Sequence, residues 1–129
     1  MKRSELNSLV YGDPTQKHLS TMQKGHSLIE IDPERLRIPR PPINSSEETF
    51  SEIRLLRKSL DSLDDNKIEF IEIADEKPTQ VFIDFAKSNG LNYNEEFIKD
   101  IYDQLRPFIL KLKYKFNRPR PAQVAKKIG

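Results

Sequence analysis

The chain has 129 residues, with 22 Lys and Arg against 20 Asp and Glu, 36% hydrophobic side chains, nine prolines and no cysteine. That length suits one small domain, and the low apolar share leaves part of the chain outside any core. Disulfides and thiolate metal ligands are excluded, no apolar run approaches the roughly eighteen residues of a membrane span, and Met1-Lys-Arg-Ser-Glu-Leu has no apolar segment of the signal-peptide kind.

Residues 1–44 sustain neither a 3.6-residue nor a two-residue period. Short apolar pieces, Leu9-Val10-Tyr11 and Leu28-Ile29-Glu30-Ile31, are interrupted by Gly12-Asp13-Pro14 and Asp32-Pro33, and the segment closes on Ile38-Pro39-Arg40-Pro41-Pro42-Ile43. The pattern predicts an extended arm, with polyproline character near Pro39 to Pro42, ordered where it lies on another surface. A neighbouring subunit is the expected partner of such an arm.

From residue 45 the signals turn helical. Ser45 and Glu48 have the spacing of a capping box, and Phe50, Ile53, Leu56, Leu60 and Leu63 then recur at steps of three or four. Lys67 to Ile73 reads either as an alternating strand or as a helix face through Ile68, Ile71 and Ala74, and its helical neighbours favour the helix. Thr79 is the expected cap of a short helix carrying Val81, Phe82, Phe85 and Ala86, stopped by Ser88-Asn89-Gly90. Asn94 caps the longest element, with Glu95 and Glu96 suited to the positive end of its dipole. Phe97, Ile98, Ile101, Leu105, Phe108, Ile109, Leu112 and Phe116 trace its apolar stripe, and Pro107 predicts a kink or a break near Leu105. The expected fold is all-α: an arm over residues 1–44, then a small bundle of three or four helices over 45–129 that ends in a basic hook.

That hook carries the chemistry. Between Arg106 and Lys127 lie eight Lys or Arg and no Asp or Glu, whereas the remaining residues hold fourteen basic against twenty acidic side chains. Lys111, Lys113 and Lys115 alternate with Leu112, Tyr114 and Phe116 before Asn117-Arg118-Pro119-Arg120-Pro121, where proline removes backbone donors and ends the helix. A local positive field of this kind suits an anion, since guanidinium forks match phosphoryl oxygens and ammonium groups adapt to several geometries. Two simpler readings exist: lysines that complement a helix C-terminus, or phosphate contacts to nucleic acid with Tyr114 and Phe116 stacking on bases.

Lys113 through Arg120-Pro121 resembles the first signature, K-x6-R-P, of the type 2 phosphatidic acid phosphatase and vanadium haloperoxidase superfamily, and the Asn-Arg-Pro-Arg-Pro ending is similar to that of its lipid phosphatases. A second register, Lys111 with Arg118 and Pro119, fits the same pattern; Lys113 with Arg120 is the preferred pair. The resemblance covers at most Ser45 to Gly129. It implies a phosphate held by Lys113 and Arg120, with Arg118 in support and Lys111 as the ligand of the other register. It also implies a Pro-Ser-Gly-His segment and a Ser-Arg…His…Asp segment after the first signature, and neither is present in this chain. His18 and His26 stand upstream and match neither role.

The remaining candidates are weak. His18 and His26 are not spaced as a metal pair, Glu47-Glu48, Asp64-Asp65 and Glu95-Glu96 read as helix starts, and neither a glycine-rich phosphate loop nor a serine-nucleophile motif occurs. No cofactor or metal is expected. The reading that follows is the phosphate-binding helical portion of a soluble acid-phosphatase-like phosphohydrolase, catalytically incomplete without its nucleophile. The alternative is a structural or assembly protein, such as a viral-particle component, that binds neighbouring subunits through the arm. Either predicts the cytoplasm or a soluble assembly such as a virion, with no membrane partner.

Overall fold

In the computed structural model, which describes residues 2–24 and 32–129, the regular elements are helices and no strand occurs among the described residues. The chain is all-α. Leu28 to Ile31 and His26 lie outside the described residues.

The N-terminal segment departs from a purely extended arm. Helices cover Arg3–Asn7 (α1) and Gln16–Met22 (α2), and a 3-10 turn covers Pro33–Arg35. Such short helices display no period in sequence and are unstable alone, so their order comes from contact with the rest of the chain. Leu6 of α1 is buried, and α2 opens with the Thr15 hydroxyl accepting the His18 N–H at 3.1 Å. The buried Asn44 amide donates to the carbonyls of Leu6 and Leu9, each at 3.0 Å, and so fastens this segment to the start of the next helix.

That helix is α3 (Glu47–Leu60), capped by Ser46 rather than Ser45: the Ser46 hydroxyl accepts the Thr49 N–H at 3.2 Å. Ser45 is engaged elsewhere, its hydroxyl accepting from Arg3 and Asn7 and its N–H donating to the Asn7 side chain. Tertiary bonds to α1 thus move the cap by one residue, and Thr49 donates its hydroxyl to the Ile43 carbonyl instead of closing a capping box. Asp64 accepts the Lys67 N–H at 2.8 Å and opens α4 (Asp65–Glu76), which settles the strand-or-helix ambiguity of Lys67 to Ile73 in favour of helix. Pro78, not Thr79, begins α5 (Pro78–Ser88), because proline at the first helical position loses only an N–H that would have no helical partner. α5 stops at Asn89 and Gly90, whose φ of 62° is the left-handed conformation glycine tolerates.

The Asn94 side chain accepts the Phe97 N–H at 3.1 Å and opens α6 (Glu95–Phe116). The break expected near Leu105 does not occur, and α6 runs through Pro107 as one helix. Proline there removes the single bond that would reach the Asp103 carbonyl, and burial of Pro107 and Leu110 holds the adjoining turns together. The supposed hook also folds: Pro121–Ile128 form α7, again with proline at the first position.

α7 completes the core. Val124 packs with Leu6 of α1 and Ile53 of α3, and Leu9, Phe50, Ala125 and Ile128 close around them. Elsewhere α2 lies on α6, α4 on α5, and α5 on α6. The stripe expected to pack α6 is only partly covered: Leu105, Phe108, Leu112 and Phe116 are half-buried, whereas Phe97 is 60% exposed, and the buried Leu110 lies outside that stripe. Among the described residues no helix is long and apolar enough to cross a membrane.

Candidate anion site

The site is built at the junction of α6 and α7. Asn117 closes α6 in the left-handed conformation, with φ 49° and ψ 33°, its N–H bonding to the Lys113 carbonyl at 2.9 Å. Asparagine is among the few residues other than glycine that adopt this conformation readily. The reversal turns the chain through Arg118, the buried Pro119 and Arg120 into α7, so the arginines five and seven positions beyond Lys113 leave the axis of α6.

Asn117 also anchors the N-terminal segment. Its carbonyl accepts the Tyr11 N–H at 3.0 Å and its side-chain oxygen accepts the Gly12 N–H at 3.1 Å. Gly12 has φ 144°, a conformation that strains any side chain although the space beside it is open. On the α7 side, the Gln123 side chain donates to the Val10 carbonyl at 3.0 Å and accepts the Arg120 N–H at 2.7 Å. Residues 10–12 are therefore strapped across the junction from both helices.

The strap brings the Tyr11 ring under two cations. Lys113 Nζ lies 4.6 Å from the ring centroid and the Arg120 guanidinium carbon 5.3 Å from it. A hydrogen bond from Arg120, reinforced by the charge of Lys113, holds the Tyr11 hydroxyl below its ordinary value, and the same contact raises Arg120. Tyr114 stands behind, its ring 5.4 Å from that of Tyr11, and its hydroxyl lies 2.5 Å from Nδ1 of His18 on α2. Burial, and then the charge on Tyr11, raise Tyr114. His18, which has no metal-like spacing in the sequence, serves here to position a tyrosine.

Of the four cations singled out as phosphate ligands, Lys113 and Arg120 meet at Tyr11. Arg118 points away from them and pairs with Glu52 of α3 at 2.5 Å. Lys111 is about 200° round the helix from Lys113 at 3.6 residues per turn, and it has no ion pair or ring contact among the described residues. Lys115 lies 3.8 Å from Glu34, so two of the cations in this stretch already face carboxylates. Beside the junction a cleft of about 510 Å3 is lined by Arg40, Asn44, Lys115, Asn117 and Arg118, among others, but not by Tyr11, Lys113 or Arg120.

Tyr11 is the member that sequence reasoning did not find. The only local signal is the turn sequence Gly12-Asp13-Pro14 that follows it, and nothing in the pattern links residue 11 to residue 113. Chemically, the assembly offers two fixed cations and a polarised phenol to an oxyanion. His18 is the single histidine among the described residues, and its Nδ1 is engaged by Tyr114. Among the described residues no group of three or more His, Asp or Glu is placed to hold a metal ion. No protein-family model, curated protein or solved structure matches this chain.

Proposed function

We propose that the protein binds a phosphate or phosphoester group at the α6–α7 junction, as the phosphate-binding helical portion of an acid-phosphatase-like phosphohydrolase. The observation that carries this reading is the convergence of Lys113 and Arg120 on one tyrosine across a rigid left-handed turn, in the preferred register of the K-x6-R-P signature. Arg118 does not join them; its pair with Glu52 braces the turn against α3 and gives it a supporting role. Binding the ground state does not lower a barrier, and hydrolysis by the resembled mechanism requires an imidazole nucleophile that this chain lacks. The expected behaviour is binding without turnover.

Calorimetric titration with inorganic phosphate tests the reading. Saturable binding is expected, and Arg120→Ala should weaken it roughly ten- to a hundredfold, the value of one or two hydrogen bonds between charged groups. p-Nitrophenyl phosphate should bind without being cleaved. Absence of phosphate binding, or binding indifferent to Arg120, removes the proposal.

A second reading, an assembly protein, is favoured by one specific observation. Phe82, Phe85 and Phe97 are each at least 60% exposed, and α4 carries five acids against one lysine while residues 106–129 carry eight basic side chains and no acid. Acidic, apolar segments and a basic segment on one molecule are complementary between copies of the chain, so the subunits of such an assembly are copies of this protein.

A further inference from the structure

We propose that Tyr11 is a third ligand of the anion held by Lys113 and Arg120, donating its hydroxyl proton to an oxygen of the bound group. The inference rests on the phosphate reading above and adds to it a residue from the far end of the chain, outside the signature.

The argument begins with donors and acceptors. Arginine and lysine side chains only donate, so toward Lys113 and Arg120, which lie 4.6 and 5.3 Å from its ring centroid, the Tyr11 oxygen can act only as an acceptor. A phenol has one proton and two lone pairs; neither cation can take the proton, so it is available to an anion oxygen that joins them, in competition with the neighbouring Tyr114 hydroxyl. The cations also withdraw charge from that oxygen, the cause of its depressed ionisation, and a more acidic hydroxyl is a stronger donor to an anion. An anion drawn to Lys113 and Arg120 arrives beside this proton, because both cations lie against the Tyr11 ring at 4.6 and 5.3 Å.

The rival role for Tyr11 is a cover that competes with the anion for the same cations. Its tethering argues against that. The backbone of residues 10–12 is held by the bonds from Tyr11 and Gly12 to Asn117 and from Gln123 to Val10, and the ring is backed by Tyr114, which His18 holds in turn. With the backbone fixed, swinging the ring aside means losing its packing on Tyr114 and on both cations, whereas rotating one hydroxyl proton disturbs none of these contacts. The sequence change that matters is therefore the hydroxyl and not the ring.

Tyr11→Phe removes the hydroxyl and keeps the ring beneath both cations, so the fold and the cation–π contacts persist. In titrations of the full chain with inorganic phosphate, Tyr11→Phe should raise the Kd about tenfold, the loss expected for one hydrogen bond to a charged group. Tyr102→Phe, which alters a tyrosine outside the site, should leave it unchanged, and circular dichroism with urea unfolding confirms that each variant is folded. If Tyr11→Phe binds phosphate as well as or better than the parent while Arg120→Ala still weakens binding, Tyr11 is not a ligand and the phosphate reading stands without it. If Arg120→Ala has no effect, or the parent binds nothing, both the inference and the reading it rests on are overturned.

Discussion

Tyr11 and Asn117 show how much of this junction depends on single side chains. Tyr11 is held below the ordinary tyrosine value of 10.0 by its hydrogen bond to Arg120, and Tyr114 is raised above it by burial. For Tyr11 the folded chain favours the ionised form, so its contribution to stability appears as pH climbs through the lowered value, is complete above 10.0, and is lost as pH falls back through it. Tyr114 behaves oppositely: its contribution is present below 10.0 and disappears as pH rises through its raised value. With four tyrosines in the chain, ultraviolet titration should resolve one ionising ahead of the ordinary range and one behind it, and Tyr11→Phe should delete the early phase and bring the late one closer to the ordinary range, since the charge on Tyr11 helps to raise Tyr114. A single phase at the ordinary value would contradict the packing of Tyr11 against the cations. Asn117 admits a parallel test in urea unfolding. Asn117→Ala forces a β-carbon-bearing residue without asparagine's local bonding into the left-handed conformation and loses the bond from Gly12, together about 2–3 kcal/mol. Asn117→Gly loses only the Gly12 bond and should destabilise by roughly 1 kcal/mol. Equal losses in the two variants would mean that the left-handed turn is not what Asn117 supplies.

At the scale of elements, what the sequence revealed and what it hid follow from the range of the forces involved. Caps are local: Asp64 and Asn94 sit where their side chains reach amides three residues on, and both are readable from spacing alone. Ser45 has the same local credentials as Ser46 and loses the position to bonds with Arg3 and Asn7, residues that spacing cannot bring near. α1 and α2 are too short to show a period, and α7 hides behind a run of prolines and lysines in which only Val124, Ala125 and Ile128 mark an apolar face. Pro107 does not break α6, since burial of Pro107 and Leu110 outweighs the lost backbone bond. The cation pair at Lys113 and Arg120 is legible because a signature resemblance spans a short stretch; Tyr11 is not, because its place there depends on Asn117 and Gln123 meeting the N-terminal strap. The core makes this testable. Ile53→Ala, in the cluster shared by α1, α3 and α7, should destabilise by about 2–5 kcal/mol in urea unfolding, while Phe97→Ala, on the uncovered face of α6, should stay within about 0.5 kcal/mol. Comparable losses would mean that the α6 stripe is packed and the cluster is not the organising core.

The whole molecule has segments of unlike character. Its basic segment holds the α6–α7 junction, where Arg118 pairs with Glu52 and Lys115 with Glu34, while Lys113 and Arg120 lie against the phenol and the charge of Asp75 on α4 also reaches Arg120. Helix α4 and the start of α6 are acidic in sum, and α5 and α6 expose phenylalanines that a small all-α chain would ordinarily bury. The two functional readings divide along this contrast, because the phosphate reading needs only the basic segment and the assembly reading needs both. Contacts between the acidic segments of one copy and the basic segment of the next are heterologous, so they close into a ring or extend into a filament, and they weaken as salt screens the charges. Sedimentation velocity separates the cases. If assembly is the function, the parent chain sediments as oligomers that dissociate on adding salt, and the combined Phe82→Ser, Phe85→Ser and Phe97→Ser variant sediments as a monomer with its urea midpoint preserved, since these side chains contribute little to the folded monomer. A parent chain that stays monomeric at low salt would withdraw the assembly reading and leave the exposed phenylalanines without a role between copies, while phosphate binding at Lys113 and Arg120 would be untouched.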